Sequence, residues 1–263
     1  MNSEQKEQTA HYCSRSDRTK RNYFLLLTAH CSLYQGMPVY RLTDELIFPH
    51  PSLADPGGLV AVGGDLLPER LLLAYAHGIF PWYSDPSPIL WWSPDPRLVL
   101  FPGELKISRS LSRVIKKQVF TVTMNDSFGE VIRACAQTRD ETWITGEMIE
   151  AYVALHELGY AHSIETRHEG RLVGGLYGVA LGRAFFGESM FSAMSDASKV
   201  ALVFLVRLLD GLGFEFIDCQ TTTEHLKRFG AREVPRKEFL DRLRRALDGL
   251  QEKQEARSIK HEA

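Results

Sequence analysis

Apolar periodicity begins late in this chain. Residues 1–36 are mostly polar, with no apolar period from Met1 to Asn22, and read as a disordered or non-native extension. A folded pattern starts near Met37, which is the expected physiological start. Phe48 to Gly64 is rich in Pro and Gly and reads as a loop. Asp65 to Gly78 predicts a helix, with Pro68 in its first turn, Leu71, Leu72 and Tyr75 on one side, and Gly78 as its stop. Ile79 to Tyr83 is extended around Pro81. Short strands are expected at Ile89–Trp92 and Leu98–Phe101, around the turn Ser93-Pro-Asp-Pro-Arg97. Ser108 caps a helix to Lys117, and a strand follows from Val119 to Met124. Ser127 to Arg139 carries Phe128, Val131, Ile132 and Cys135 at core spacing. Thr145 caps another helix, with Met148, Tyr152 and Leu155 inward and Gly159 ending it. Ala161–Arg167 and Arg171–Val179 form a hairpin around Glu169-Gly170. Ser195 caps a helix to about Gly211 that is apolar nearly all round. Phe214 to Gln220 is a strand, and a helix over roughly Arg236–Leu247 precedes a charged tail, 251–263.

Two strands carry the chemistry. Leu172 to Ser192 reads as a hairpin around Leu181-Gly182-Arg183. Glycines at 174, 175, 178, 182 and 187 weaken ordinary strands, and such glycines mark close approach of a ligand or another backbone. Alternation puts Phe186, Glu188, Met190 and Ser192 on one face. A carboxylate on that aromatic and thioether wall is costly unless a cation meets it; the alternative is a solvent-facing Glu on an edge strand. In 214–220, alternation puts Phe214, Phe216, Asp218 and Gln220 on one face, where Asp218 and Gln220 can together hold a nucleophile. Cys219 points the other way and reads as core rather than as a nucleophile.

The helix 108–117 presents Arg109, Arg113, Lys116 and Lys117 on one face, with no acid among them, and Leu111, Val114 and Ile115 on the other. Two readings stand: a solvated face, or a docking face for an anionic partner.

Composition adds bounds. A chain of 263 residues holds one large or two modest domains. A net charge of −2 excludes a globally basic nucleic-acid binder but not a local basic patch. The four cysteines show no metal spacing and suit a reducing compartment. Tyr23-Phe-Leu-Leu-Leu27 is too short to span a membrane. His156 and His162 lie off any helical ligand spacing and read as structural. No HExxH, GxSxG or GxxxxGK[ST] occurs.

Several motifs together carry a resemblance. Gly63-Gly-Asp-Leu, Gly78-Ile-Phe-Pro-Trp, Trp91-Trp-Ser-Pro-Asp-Pro-Arg, Thr142-Trp-Ile-Thr, His156-Glu-Leu-Gly, Gly174-Gly-Leu-Tyr-Gly, Gly187-Glu-Ser-Met-Phe-Ser and Ile217-Asp-Cys-Gln run in unbroken order between Met37 and Leu240. The chain resembles the bacterial leucyl/phenylalanyl-tRNA–protein transferases. The resemblance implies an α/β (α+β) fold, with a small N-terminal domain, 37–97, packed on a GNAT-like (acetyltransferase-like) domain, 98–250. It implies a cytoplasmic monomer without metal or cofactor. The implied reaction moves Leu or Phe, less often Met, from aminoacyl-tRNA to proteins that begin with Arg or Lys, marking them for N-degron proteolysis. Asp218 and Gln220 would then be catalytic, with Asp218 holding the Gln220 amide and steadying charge on the attacking nitrogen. Glu188 would read the acceptor. Trp82, Trp143, Phe185 and Met190 would line a donor slot, joined by Tyr75, Leu176, Ser192 and Ile217. Leu176 stands where the best-known members have Met. Arg109, Arg113, Lys116 and Lys117 would bind tRNA. Of two rivals, a coenzyme-dependent acetyltransferase wants a glycine-rich loop, whereas Ser192–Lys199 has no glycine. A non-catalytic RNA-binding module would explain the basic helix but not the Asp218/Gln220 pair.

Overall fold

The structure is a computed structural model that describes residues 39–138 and 142–261. The expectations for residues 1–36 and for Met37 lie outside these residues. The fold is mixed α/β. Strands β1 (Tyr40–Leu42), β2 (Leu59–Gly63), β3 (Phe80–Pro81) and β4 (Leu90–Trp92) form a small sheet in the order β1-β2-β4-β3. Strand β2 falls inside the stretch expected to be loop. Its Val60 and Ala61 are buried, and Trp91 of β4 donates its indole N–H to the Gly63 carbonyl at 2.8 Å. Helix α1 (Pro68–Ala76) lies between β2 and β3 in the chain, and buries Leu71, Ala74 and Tyr75.

The large sheet has the order β11-β5-β10-β9-β8-β7-β6. Its strands are β5 (Arg97–Leu100), β6 (Thr121–Met124), β7 (Ala161–His168), β8 (Arg171–Leu181), β9 (Ala184–Ser192), β10 (Phe216–Gln220) and β11 (Arg232–Val234). Strands β7 to β9 are an antiparallel meander, and β6 pairs antiparallel with β7 across a connection that holds two helices. Among the described strands of this sheet only β9 and β10 pair in parallel, which requires a crossover, and helix α5 (Ala197–Gly211) makes it. The cap of α5 is Asp196, held at φ 68°, and not Ser195. Helices α2 (Arg109–Lys116), α3 (Phe128–Gln137), α4 (Gly146–Glu157), the short α6 (Glu224–Lys227) and α7 (Arg236–His261) complete the described fold. Ser108 and Thr145 do cap α2 and α4, accepting from the Leu111 and Met148 amides at 3.2 Å each. Helix α7 runs past Leu247, where apolar periodicity stops, because the Glu, Gln, Lys, Ala and Arg that follow are strong helix formers.

The large sheet separates two cores. On one face Tyr75, Phe128, Met148, Tyr152, Tyr177, Phe186, Phe216 and Phe239 pack with the small sheet. On the other, Leu98, Leu176, Phe185 and Ile217 pack under the apolar run of α5, which is buried from Val200 through Val206 except at Phe204. Two glycines in the central hairpin are required by space. A Cβ at Gly178 would collide with the Phe186 carbonyl. One at Gly182, which turns the hairpin at φ 59°, would collide with the Ala246 carbonyl of α7.

Candidate active site

The β8–β9 ladder slips between Tyr177↔Ser189 and Gly178↔Gly187, which leaves Glu188 as the extra residue of a β-bulge. The bulge resets alternation. Phe186 and Glu188 face the first core, whereas Met190, paired with Leu176, joins the second with Phe185 and Ile217. The expectation that Phe186, Glu188, Met190 and Ser192 share one face is therefore corrected, since period-2 counting fails across an inserted residue. Ser192 follows Met190 and pairs with Gly174; its hydroxyl donates to the Met194 carbonyl at 2.8 Å. Nor do the four expected slot residues meet in one place. Trp82 and Trp143 pack on the first core, and Phe185 and Met190 on the second.

Glu188 is only 8% exposed. Its Oε1 accepts from the Tyr75 hydroxyl at 2.7 Å and from the Gln220 Nε2 at 3.0 Å, and its Oε2 accepts from the Tyr152 hydroxyl at 2.9 Å. The two tyrosine hydroxyl oxygens also lie within hydrogen-bonding reach of each other; each carries one proton, so a bond between them competes with one of the bonds to Glu188. Among the described residues no cation pairs with Glu188; every donor on it is neutral. Burial pushes its carboxyl up to about 7. The nearby Asp218 charge adds to this, and the three hydrogen bonds oppose it. Burial, followed by the Glu188 charge, drives the Tyr75 and Tyr152 hydroxyls well above the ordinary phenol range, so both remain donors at neutral pH.

Asp218 behaves otherwise. On β10, Phe216 and Asp218 face the first core as alternation requires, while Phe214 precedes the strand and packs on the second. Asp218 accepts both hydrogen bonds of a two-point grip from Arg97, Nε at 2.8 Å and Nη2 at 2.6 Å. Its Oδ1 also takes the backbone N–H of Gln220 at 2.9 Å. Gln220 sits at φ 61°, just past a register slip in β10. The carboxylate that holds the Gln220 side-chain amide is thus Glu188, not Asp218. The expectation that Asp218 holds the Gln220 side-chain amide is corrected: its carboxylate is engaged by the buried Arg97 guanidinium and the Gln220 backbone N–H.

Arg97 and Tyr152 are site residues that the sequence alone does not single out. Tyr152 has the spacing of a plain core position. Arg97 did carry a signal: a cation opening the apolar run Leu98-Val-Leu100, which a strand can bury only against an anion. The expected basic face is present. Arg109, Arg113, Lys116 and Lys117 are all exposed, while Leu111 is buried. None of the four joins an ion pair among the described residues. Cys135 is buried and Cys219 half-buried, and burial pushes the Cys135 thiol up to about 12, which makes it a poor nucleophile. No helix among the described residues is long and apolar enough to cross a membrane.

Fold and site define a class first: a mixed α/β protein whose central strands bring a buried carboxylate, Glu188, together with the Gln220 amide and two phenols. The sequence matches the family described as leucyl/phenylalanyl-tRNA protein transferase over residues 99–244, and the N-terminal domain of that family over 64–95. It is 65% identical over 208 residues to the leucyl/phenylalanyl-tRNA–protein transferase of Syntrophobacter fumaroxidans, covering 78% of this chain and 89% of that one. It is 60% identical over 217 residues to the same-named protein of Anaeromyxobacter sp. (strain K), covering 81% and 93%. The chain belongs to the leucyl/phenylalanyl-tRNA protein transferase family, a family of aminoacyltransferases. Likeness to a solved GCN5-related N-acetyltransferase from Kribbella flavida is remote, at 13% identity over 62% of this chain and 59% of that one, with a TM-score of 0.34.

Proposed function

We propose that this protein moves Leu or Phe, and less readily Met, from aminoacyl-tRNA to the α-amine of cytoplasmic proteins that begin with Arg or Lys, feeding N-degron proteolysis. In this reading residues 37–97, with the small sheet, form one domain, and 98–250, with the large sheet, form the catalytic one. The observation that carries the reading is Glu188, a buried carboxylate with neutral donors on both oxygens and a carboxyl lifted to about 7. Such a group accepts a proton near neutral pH and favours a cationic partner that desolvates it no further.

The reaction forms a bond between the acceptor nitrogen and the donor carbonyl carbon, and breaks the ester bond to the ribose oxygen. An α-amine has a reference pKa of about 7.7–8.0, so its proton and that of Glu188 exchange at little cost. Glu188 takes the proton that the nitrogen loses and passes it to the departing ribose oxygen, so the ribose hydroxyl is restored and Glu188 returns to its ionised form. The side-chain NH₂ of Gln220 is engaged by Glu188, which leaves its carbonyl oxygen to orient an amine hydrogen. Alignment supplies most of the rest, because the ester is already activated.

The donor side chain is assigned to the α5 face, among Leu176, Phe185, Met190 and Ile217. Gly187, next to Glu188, leaves the backbone bare there; a Cβ on it would already be in ordinary contact with the Asp218 carbonyl at 3.6 Å and with Ile217 at 3.9 Å. Met adapts to differently shaped guests, which suits a slot for both Leu and Phe. The basic face of α2 holds tRNA phosphates. Purified protein is to be mixed with leucyl-tRNA and an Arg-initiated peptide, with acetyl-coenzyme A and the same peptide, or with tRNA alone. Leucyl-peptide formed only in the first mixture supports the reading. Acetyl transfer, or tRNA binding without transfer, would overturn it.

A further inference from the structure

Arg97 is 1% exposed, and its guanidinium lies between two aromatic rings, 4.7 Å from the centre of Phe80 on β3 and 4.6 Å from that of Phe239 on α7. Its Nε and Nη2 grip Asp218, and its Nη1 is buried with no partner among the described residues. A buried ion pair with an unpartnered N–H is a weak way to stabilise a fold, since apolar residues of the same volume often do as well or better. What this pair does fix is direction. Asp218 Oδ1 receives the Gln220 backbone N–H, and Gln220 stands in the left-handed region, which a non-glycine residue adopts at a cost. That conformation delivers the Gln220 side chain to Glu188.

We propose that Arg97 is a positioning residue for aminoacyl transfer: clamped by Phe80 and Phe239, it holds Asp218 so that Asp218 locks the Gln220 backbone and aims the Gln220 amide at Glu188. Arg97 touches no reacting atom, and its effect passes through three hydrogen-bonded residues. Phe80 belongs to the small sheet and Asp218 to the large one, so the same side chain ties the small sheet to the placement of the site. A lysine would keep the charge but lose the planar two-point grip and the stacking on both rings. This inference rests on the proposed transfer reaction.

The test measures leucyl transfer from leucyl-tRNA to an Arg-initiated peptide by wild type, Arg97→Lys and Arg97→Ala, beside thermal unfolding of each. Wild-type transfer is the control, and its absence would defeat the proposed function and not this inference. For folded variants kcat is expected to fall by about 100-fold, the scale of loss for a small misplacement. The KM for leucyl-tRNA is expected to stay within about twofold, since the positioning removed acts after docking. The acid limb of the kcat/KM profile for peptide is expected to move to higher pH, because a loosened Gln220 amide no longer favours ionised Glu188. Millimolar guanidinium ion is expected to restore Arg97→Ala saturably, whereas sodium chloride at equal ionic strength does not. If Arg97→Ala does not fold, Arg97→Lys decides alone. Three results would overturn the proposal: wild-type kcat in Arg97→Lys, losses of kcat that merely follow losses of thermal stability, or a folded Arg97→Ala that guanidinium leaves unchanged.

Discussion

Replacing Glu188 by Gln is expected to make the protein more stable above neutral pH while impairing it as an enzyme. Gln keeps the shape. Its one carbonyl oxygen can still accept from Tyr75 and Gln220, and its NH₂ can donate to the Tyr152 oxygen. What disappears is the cost of ionising a buried carboxylate. That group moves from an ordinary value of 4.5 to about 7 on folding. At about 1.4 kcal/mol per pH unit, the difference amounts to about 3 kcal/mol at most.

The sign follows from proton counting. Between pH 4.5 and 7 the folded protein binds more protons at Glu188 than the unfolded chain does, so this contribution is fully present below 4.5 and is lost as pH rises through 7. The stability of wild type minus that of Glu188→Gln should therefore fall across that window and level off above it. For a protein of this size the plateau corresponds to a rise of roughly 6–12 °C in the Tm of the variant at most. Urea unfolding of both proteins in half-unit steps from pH 4 to 9 measures it. A difference that stays flat with pH, or that runs the other way, would refute the assignment of Glu188 as a buried, uncompensated carboxylate.

Two further outcomes test the other surfaces. Changing Arg109, Arg113 and Lys116 together to Ala should raise the KM for leucyl-tRNA and reduce the log–log salt slope by roughly 0.7–0.9 for each phosphate no longer neutralised, with a minimal donor such as leucyl-adenosine used nearly as before; equal impairment with both donors would exclude a docking role for α2. Met190→Ala should shift the donor ranking toward bulkier side chains by about 1–3 kcal/mol per methylene of added room, read from competition between leucyl- and phenylalanyl-tRNA; an unchanged ranking would remove Met190 from the slot.

Much of the fold was legible because its signals are local. Ser108 and Thr145 cap the helices they precede, the Gly182 turn lies where expected, and the apolar run of α5 is buried. Strand β2 was hidden in a Pro- and Gly-rich stretch because its pairing partners, β1 and β4, are short and distant in sequence. The site was half legible. Glu188, Asp218 and Gln220 stood out as polar groups on apolar strands. Their mutual bonding did not, for two reasons. One extra residue in β9 reverses alternation, and no period-based reading of a single strand detects a bulge that its neighbour creates. The partner of Asp218 lies at Arg97, so only the β5–β10 pairing brings them together.

The most direct measurement is the rate of leucyl transfer to an Arg-initiated peptide by wild type and Glu188→Gln, with leucyl-tRNA saturating and pH varied from about 5.5 to 9, a range that spans titration of both Glu188 and the acceptor amine. If Glu188 accepts the proton of the attacking amine, wild-type kcat/KM for peptide will rise along an acid limb near 7. The variant will be without that limb and slower by at least about 100-fold. Its KM for leucyl-tRNA will be unchanged. A Glu188→Gln enzyme that transfers leucine at the wild-type rate with the wild-type pH profile would contradict the account at its centre.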